Sequence, residues 1–393
     1  MTGALLVLNA GSSSLKFALY RAEALEPLCR GAIEPIGAKP RFELSGPRTS
    51  LLDGAVPPPE SGDHEAVVQW LLTALRGRPD LEIAVAGHRV VHGGANFDRP
   101  VRVDDAILAE LERLVPLAPG HQPLNLAAIR AVSAMWPDLP QVACFDTAFH
   151  RTEPRLAQLF AIPRAFTQEG LVRYGFHGLS YEYIAGVLPE AAGERANGRV
   201  IVAHLGHGAS LCAMRNRESV ATTMGLTVLD GLMMGTRCGA VDPGLVLHLI
   251  RERNMPAEAV ADILNKRSGL LGVSGISDDV RVLEASDDPR AAEALDLFAY
   301  RVIRETGSLM AALGGLDVFV FTAGIGERSV RLRRRISEGL GWAGLRLDPD
   351  RNEASDPRIS SLESAVAALV IPTNEELPIA KASIGIVRPD ATG

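Results

Sequence analysis

The stretch "LLVLNAGSSSLKFAL", residues 5–19, decides how this chain is read, because it returns in outline as "VIVAHLGHGASLCAM", residues 200–214. Each copy is an apolar run, a tight loop of glycine and small polar residues ending in Ser-Leu, and a second apolar run. Apolar runs of this length bounded by turn residues read as buried strands. A plain hairpin tip is normally about two to five residues built on Asn-Gly or Asp-Gly. These loops instead offer hydroxyls and backbone N–H groups with nothing bulky above them, which lets a phosphate approach closely. The second copy begins near the midpoint of the chain, so the repeat points to two domains on one core, each presenting such a turn.

Further runs extend the pattern. "LEIAVAGHRVVHGG" (81–94) and "PQVACFDTAFH" (140–150) read as buried strands ending in polar loops, and "LDVFVFTAGIGE" (316–327) is the matching element of the second half. Between them, "HEAVVQWLLTAL" (64–75) and "AAEALDLFAYRVIRETGSLMAAL" (291–313) carry apolar residues at helical spacing. The expected architecture is α/β, with two similar lobes and a cleft between them. The Pro/Gly-rich stretch 46–63 reads as a surface excursion, and the tail 374–387 as a helix packed back on a lobe.

The 393 residues are 47% apolar and 22% charged, with a net charge of −7, which is ample material for a core of about two domains. An acidic chain argues against a nucleic-acid or membrane-surface partner. The basic cluster "ERSVRLRRRISEG" (327–339) reads as an exposed helix face of mixed charge. The first apolar run lacks a basic lead-in and meets Asn9 at once, so neither a secretory signal nor a membrane span is expected. The four cysteines are scattered without a C-x-x-C, which suits a reducing cytoplasm rather than a disulfide framework or zinc. His88 and His92 stand four apart, but on a strand entering a glycine loop and without the Glu of H-E-x-x-H.

Eight motifs in order carry a resemblance over essentially the whole chain: "NAGSSSLKF" (9–17), "HRVVHGG" (88–94), "FDTAFH" (145–150), "RYGFHGLSYEY" (173–183), "HLGHGAS" (204–210), "MGTRCGAVDPG" (234–244), "FTAGIGE" (321–327) and "TNEEL" (373–377). The chain resembles the acetate and propionate kinase family, within the actin-like and sugar-kinase superfamily. The resemblance implies a duplicated ribonuclease-H-like (actin-like ATPase) fold. It places an acyl-substrate lobe at 1–146 plus 377–393 and a nucleotide-binding lobe at 147–376. It implies a cytoplasmic homodimer that converts ATP and acetate or another short carboxylate to ADP and acyl phosphate, with Mg²⁺, or Mn²⁺ in its place.

By the same resemblance, Arg89 and Arg237 point at the transferring phosphoryl group and the carboxylate. An arginine's planar fork pairs with two oxygens at once. His177 hydrogen-bonds the phosphoryl oxygens and His121 lies near the substrate. Asp146 joins the catalytic set; since a short fatty acid is already ionised at pH 7, the carboxylate holds metal-bound water or orients Arg89 rather than removing a proton. Glu375 is the metal's direct partner, with the Asn9 amide beside it and Ser12 as further polar reach. Val91, Phe176 and Gly120 line the acyl pocket. Gly206, His207, Gly208 and Ser210 form the phosphate loop, and His204 orients it. Asp279, Val280 and Arg281 surround ribose and base, and Gly324 and Ile325 line the adenine slot. Lys16 is read two ways, as a nucleotide ligand or as a strand-edge lysine keeping its charge in water.

Some positions depart from the family pattern. His207 replaces an asparagine, Arg328 follows "GIGE" where asparagine is usual, Val228 replaces a proline, and Gly120 stands where leucine usually fills the acyl pocket. A missing leucine enlarges the hollow near the substrate methyl, so propionate and butyrate are expected to be tolerated. Other classes remain to be weighed. A nicotinamide enzyme is suggested by "GIGERS", but Ser329 occupies the third glycine position. An actin-like ATPase or phosphatase would use water as acceptor, and acceptor-independent ATP turnover separates it.

Overall fold

The computed structural model describes residues 3–11, 14–36, 41–52 and 63–388; Ser12 and most of the 46–63 excursion lie outside them. The chain divides into two compact units, Met1–Phe149 with Asn374–Gly393, and His150–Thr373.

The first unit holds a seven-stranded sheet. Its strands are β1 (Ala4–Ala10), β2 (Leu15–Arg21), β3 (Pro27–Glu34), β4 (Arg41–Ser45), β5 (Ile83–Val90), β6 (Val101–Arg102) and β7 (Gln141–Phe145), in the order β4-β3-β2-β1-β5-β7-β6. The opening stretch is the β1–β2 hairpin, with Asn9 opposite Lys16 and Ala10 opposite Leu15. β5 and β7 run parallel to β1. The helices His64–Arg76 and Gln122–Met135 bury Val67, Leu71, Leu72, Ala128 and Val132 with Leu6, Leu8 and Ala86 in one core. Strand side chains alternate between faces, so Gly87, next to Ala86, meets Ile379 and Ser383 of the helix Glu376–Val387 instead.

The second unit repeats the plan with five strands. They are β8 (Arg199–Leu205), β9 (Ala209–Arg215), β10 (Glu218–Thr222), β11 (Val318–Thr322) and β12 (Ala367–Val370), in the order β10-β9-β8-β11-β12. The echo at 200–214 is the β8–β9 hairpin, with His204 opposite Ser210. Three antiparallel strands followed by two parallel ones therefore occur in both units, as β3-β2-β1-β5-β7 and β10-β9-β8-β11-β12. This is the ribonuclease-H-like arrangement, present twice. The 25-residue helix Pro289–Leu313 covers one stretch of this sheet. Asp288 caps its start by accepting from the Arg290 amide, Pro289 fits the first turn, and Gly314 ends it in the left-handed region.

Several readings of the sequence change. Thr49–Leu52 is a short helix whose Leu51 and Leu52 are buried in the first unit's core, so this part of the 46–63 stretch is anchored rather than a surface excursion. The basic cluster is helical over Val330–Gly339, but it is not simply an exposed face. Arg333 is only 1% exposed, and it donates to the Glu327 carbonyl at 2.6 Å, to Ser355 Oγ at 2.8 Å and to both Asn352 oxygens at 3.0 Å. A fork with five donors can satisfy several carbonyls in one place, which makes this arginine a tie between segments. Past β11, "TAGIGE" is not a loop: Ala323, at φ 63°, turns the chain into the helix Ala323–Arg328.

Candidate active site

In the first unit three parallel strands and the start of the last helix deliver four polar side chains to one place. Arg89 comes from β5, Asp146 follows β7, Asn9 lies on β1, and Glu375 precedes the helix Glu376–Val387. Arg89 Nη2 donates to Asp146 Oδ2 at 2.6 Å, and Nε reaches both Asp146 oxygens at 3.0 and 3.1 Å. Arg89 Nη1 donates to Asn9 Oδ1 at 3.0 Å, and Asn9 Nδ2 donates to Glu375 Oε2 at 2.9 Å. The Asp146 side chain is 2% exposed and that of Arg89 16%. Burial alone would lower the Arg89 pKa, but Asp146 and then Glu375 more than offset it, so the guanidinium stays charged. Burial first, and Glu375 second, raise the Glu376 carboxyl above the usual range, with Lys16 and Arg30 opposing.

The loop that follows Arg89 is fixed from behind. Asn125 Oδ1 accepts from the Val91 amide at 3.0 Å while its Nδ2 donates to the Ala10 carbonyl at 2.9 Å. Gln122 bonds both the amide and the carbonyl of His92, and Thr147 Oγ1 accepts from Gly93 N at 3.0 Å. A rigid mount of this kind keeps a functional fork aimed.

In the second unit, His177 sits at φ 60° and ψ 22°, just before the helix Gly178–Ala192. A non-glycine residue in the left-handed region costs about 1–2 kcal/mol. Its Nδ1 lies 2.8 Å from Ser210 Oγ, which is also 2.5 Å from the Tyr181 hydroxyl. Its ring stacks on His204 at 4.1 Å. His204 Nδ1 is 2.8 Å from Ser180 Oγ, itself 2.8 Å from Thr373 Oγ1. Burial above all keeps the Tyr181 hydroxyl well above its ordinary pKa, so it stays neutral. Gly208 lies under two of these groups: a methyl there would stand 2.8 Å from Arg237 Nη2 and 3.3 Å from His177 Nε2. Arg237, His177 and the β8–β9 turn therefore share one spot. Arg237 Nη1 donates to the Val228 carbonyl at 2.7 Å.

Arginine forks, a histidine aimed at a glycine turn and a carboxylate–amide pair are what phosphoryl transfer asks of a protein. The model of the acetokinase family matches residues 4–381. The chain belongs to the acetokinase family. An acetate kinase of Rhodopseudomonas palustris is 53% identical over 97% of this chain and 98% of its own length. One of Nitrobacter hamburgensis is 51% identical over 98% and 96%. Among solved structures, a propionate kinase of Francisella tularensis superposes with a TM-score of 0.89 at 36% identity, covering 97% of this chain and 99% of its own. Porphyromonas gingivalis acetate kinase gives 0.85 at 34% identity, over 98% and 100%.

Within this acetokinase, Arg89, Asp146, Asn9 and Glu375 are brought together in the first unit, and Arg237, His177, Gly206, His207 and Gly208 in the second. Lys16 is exposed and lies in the first unit, and the other nucleotide candidates belong to the second. His121 is half-buried at the start of the helix Gln122–Met135. Val91 is buried and Gly120 exposed in the first unit, whereas Phe176 is buried in the second.

The β8–β9 turn is partly closed on itself. The Gly206 amide closes the turn by donating to Gly208 O at 3.0 Å, and buried Ser210 is engaged by His177 and Tyr181. The amides of His207 and Gly208 are the remaining candidates. His207 is exposed, with Nε2 3.1 Å from Asp278 Oδ2. Asp279 caps the helix Val280–Glu284 and holds Arg281 at 2.6 Å, a bond that lowers the Asp279 pKa, while Val280 turns inward and is 5% exposed. Gly324 and Ile325 sit in a helical turn, and Arg328 is exposed at its end. Sequence reasoning missed the supports Asn125, Gln122, Tyr181 and Ser180, whose partners are mostly distant in the chain.

Proposed function

We propose that the protein catalyses reversible transfer of the γ-phosphoryl group of MgATP to acetate, giving acetyl phosphate and ADP. The observation that carries this reading is Arg89, charged and held on three sides by Asp146 and Asn9. A carboxylate oxygen attacks phosphorus, the bond to the β-phosphate oxygen breaks, and ADP leaves with that electron pair. No proton is moved, so Asp146 serves as the seat of Arg89 rather than as a base. Arg89, Arg237 and His177 are the donors assigned to the phosphoryl oxygens in this reading; an arginine in this role contributes about 10³–10⁵ in rate. The first unit takes the acyl substrate and the second the nucleotide, through the His207 and Gly208 amides and the segment Asp279–Arg281.

The carboxylate–amide pair of Glu375 and Asn9 suits a hard divalent cation. Mg²⁺ takes about one or two carboxylates and fills its other positions with water and phosphate oxygens. The crowded Glu375–Glu376 charges fit a cation as well. Glu375, with Asn9 beside it, would hold Mg²⁺, or Mn²⁺ in its place. When bound, the ion neutralises phosphate charge.

The reading extends to propionate as a second acid: residue 120 carries no side chain, and a methyl there would meet nothing within 4 Å. The helix Pro243–Arg251 buries none of its residues, and it exposes Leu245, Leu247 and Ile250. An unpartnered apolar face of this kind supports a homodimer. Free thiols, three of them buried, suit the cytoplasm. The test is MgATP with acetate, propionate or butyrate, trapping acyl phosphate as hydroxamate. Acyl phosphate from the wild type and almost none from Arg89→Ala is expected. ADP release independent of any acid would overturn the reading in favour of an ATPase.

A further inference from the structure

His177 stands in a strained backbone region, and the side chain that holds the preceding peptide is not one of the groups assigned to the reaction. His150 is fully buried, and its Nε2 lies 2.9 Å from the Phe176 carbonyl, one residue before His177. Its Nδ1 lies 2.8 Å from Ser219 Oγ. Ser219 in turn donates to Glu153 Oε1 at 2.9 Å, and Glu153 is also buried. The chain can pass over the His150 ring only because residue 175 is glycine. Gly175 has φ 73°, and a methyl there would stand 2.6 Å from His150 Cδ2.

The Phe176 carbonyl only accepts, so His150 Nε2 carries hydrogen. With Glu153 ionised, Ser219 gives its hydrogen to that carboxylate and its oxygen accepts from His150 Nδ1, which then carries hydrogen as well. The network is an imidazolium tied through a hydroxyl to a carboxylate, with no net charge. Burial opposes an imidazolium, but Cys212 and Glu153 beside it prevail and raise the His150 pKa to about 10.

The same ring reaches His177 by a second route. It stands edge-on to Tyr181 at 5.6 Å, Tyr181 bonds Ser210, and Ser210 bonds His177 Nδ1. We propose that His150, locked by Ser219 and Glu153, is a positioning residue that sets the backbone and ring of His177 for phosphoryl transfer. This rests on the reading that His177 contacts the phosphoryl oxygens. His150 touches no reacting atom; it fixes one that does, and a misplacement of about 1 Å can cost about 100-fold.

The test compares wild type with His150→Leu, His150→Gln and Ser219→Ala. Leucine removes both bonds, glutamine restores an amide donor toward the Phe176 carbonyl, and alanine cuts the link to Glu153. The expected kcat loss is about 100-fold for His150→Leu and about tenfold for Ser219→Ala, with glutamine recovering most of the leucine loss. KM for ATP and acetate stays within about threefold in each. Ring 1H–15N signals of His177, assigned by their loss in His177→Gln, shift in His150→Leu and return toward wild type in His150→Gln. If leucine fails to fold, the glutamine and Ser219→Ala proteins still read the effect. Wild-type kcat in Ser219→Ala and in both His150 variants, with unmoved His177 signals, overturns the proposal, as does a loss confined to KM. An inactive wild type whose His177 signals move in the variants removes the kinase reading and leaves the positioning intact.

Discussion

Replacing Asp146 separates two roles that a buried carboxylate beside a substrate can play. It supplies the acceptor for two of the three nitrogens of Arg89, through contacts of 2.6, 3.0 and 3.1 Å. Its own side chain is 2% exposed, so water cannot readily take its place. Hydrogen bonds to charged groups are each worth about 1.5–3 kcal/mol. Asp146→Ala therefore leaves the guanidinium held by Asn9 alone, and the aim of the fork is lost. Forfeiting most of an arginine contribution of about 10³–10⁵ predicts a kcat fall of about 10²–10³, or about 3–4 kcal/mol. Asp146→Asn keeps one acceptor and falls less, by about 10–100-fold. Arg89→Ala loses at least as much as Asp146→Ala. The deciding measurement is the double variant, assayed by hydroxamate trapping. If Asp146 acts only through Arg89, Arg89→Ala/Asp146→Ala is no slower than Arg89→Ala. A further loss of about 100-fold in the double variant would refute this and give Asp146 chemistry of its own.

Gly120→Leu should cut kcat/KM for propionate at least about tenfold while changing acetate less than about threefold, since pockets discriminate a methylene by about 10–200-fold; equal losses on both acids would remove Gly120 from the acyl site. Glu375→Gln should raise the Mg²⁺ concentration for half-maximal rate about tenfold, read by metal titration of activity at fixed ATP, and an unchanged titration curve would take Glu375 out of the metal's reach. Stability should peak near pH 6.5. Burial lowers the His88 pKa from 6.5 to about 4, so only the unfolded chain gains that proton between these values, and stability falls on acidification by about 1.36 kcal/mol per unit. His150 is raised instead, so its contribution is complete below pH 6.5 and fades as pH climbs toward 10. Urea unfolding at pH 5, 6.5 and 8 checks both limbs, and His88→Asn should flatten the acid one alone. Leu247→Asp on the exposed helix face should shift the molar mass by light scattering from dimer to monomer, and an unchanged mass would move the interface elsewhere.

What the sequence discloses and what it hides follow from the reach of the interactions. The two hairpins are legible because a strand–turn–strand is local: residues 5–19 and 200–214 carry the whole pattern within about fifteen positions. The helices His64–Arg76 and Pro289–Leu313 announce themselves by their apolar period for the same reason. β12 is short and fully buried, takes its ladder from the parallel strand β11, and carries no alternation, so nothing marks it until the parallel partner is known. Arg333 reads as one more charge in a basic run, because its acceptors are backbone carbonyls and amides of segments brought together only by folding.

The candidate site divides along the same line. Arg89, His177 and Arg237 are recognisable, since each is embedded in a glycine-rich motif that looks functional by itself. The residues that aim them are not. Asn9 meets Glu375 across 366 positions, Asn125 meets Ala10 across 115, and His150 meets Ser219 across 69. None of these pairs has a local period or spacing that could reveal it. A histidine at the end of "FDTAFH" is as consistent with a surface residue as with a buried imidazolium until Ser219 and Glu153 are seen beside it. The groups proposed to touch substrate are thus written in short motifs, whereas the strain held at His177 is supported by contacts that exist only in the folded chain. Substitutions at those supports should lower kcat while leaving substrate affinity near its original value, because they alter where a donor points and not whether the substrate fits.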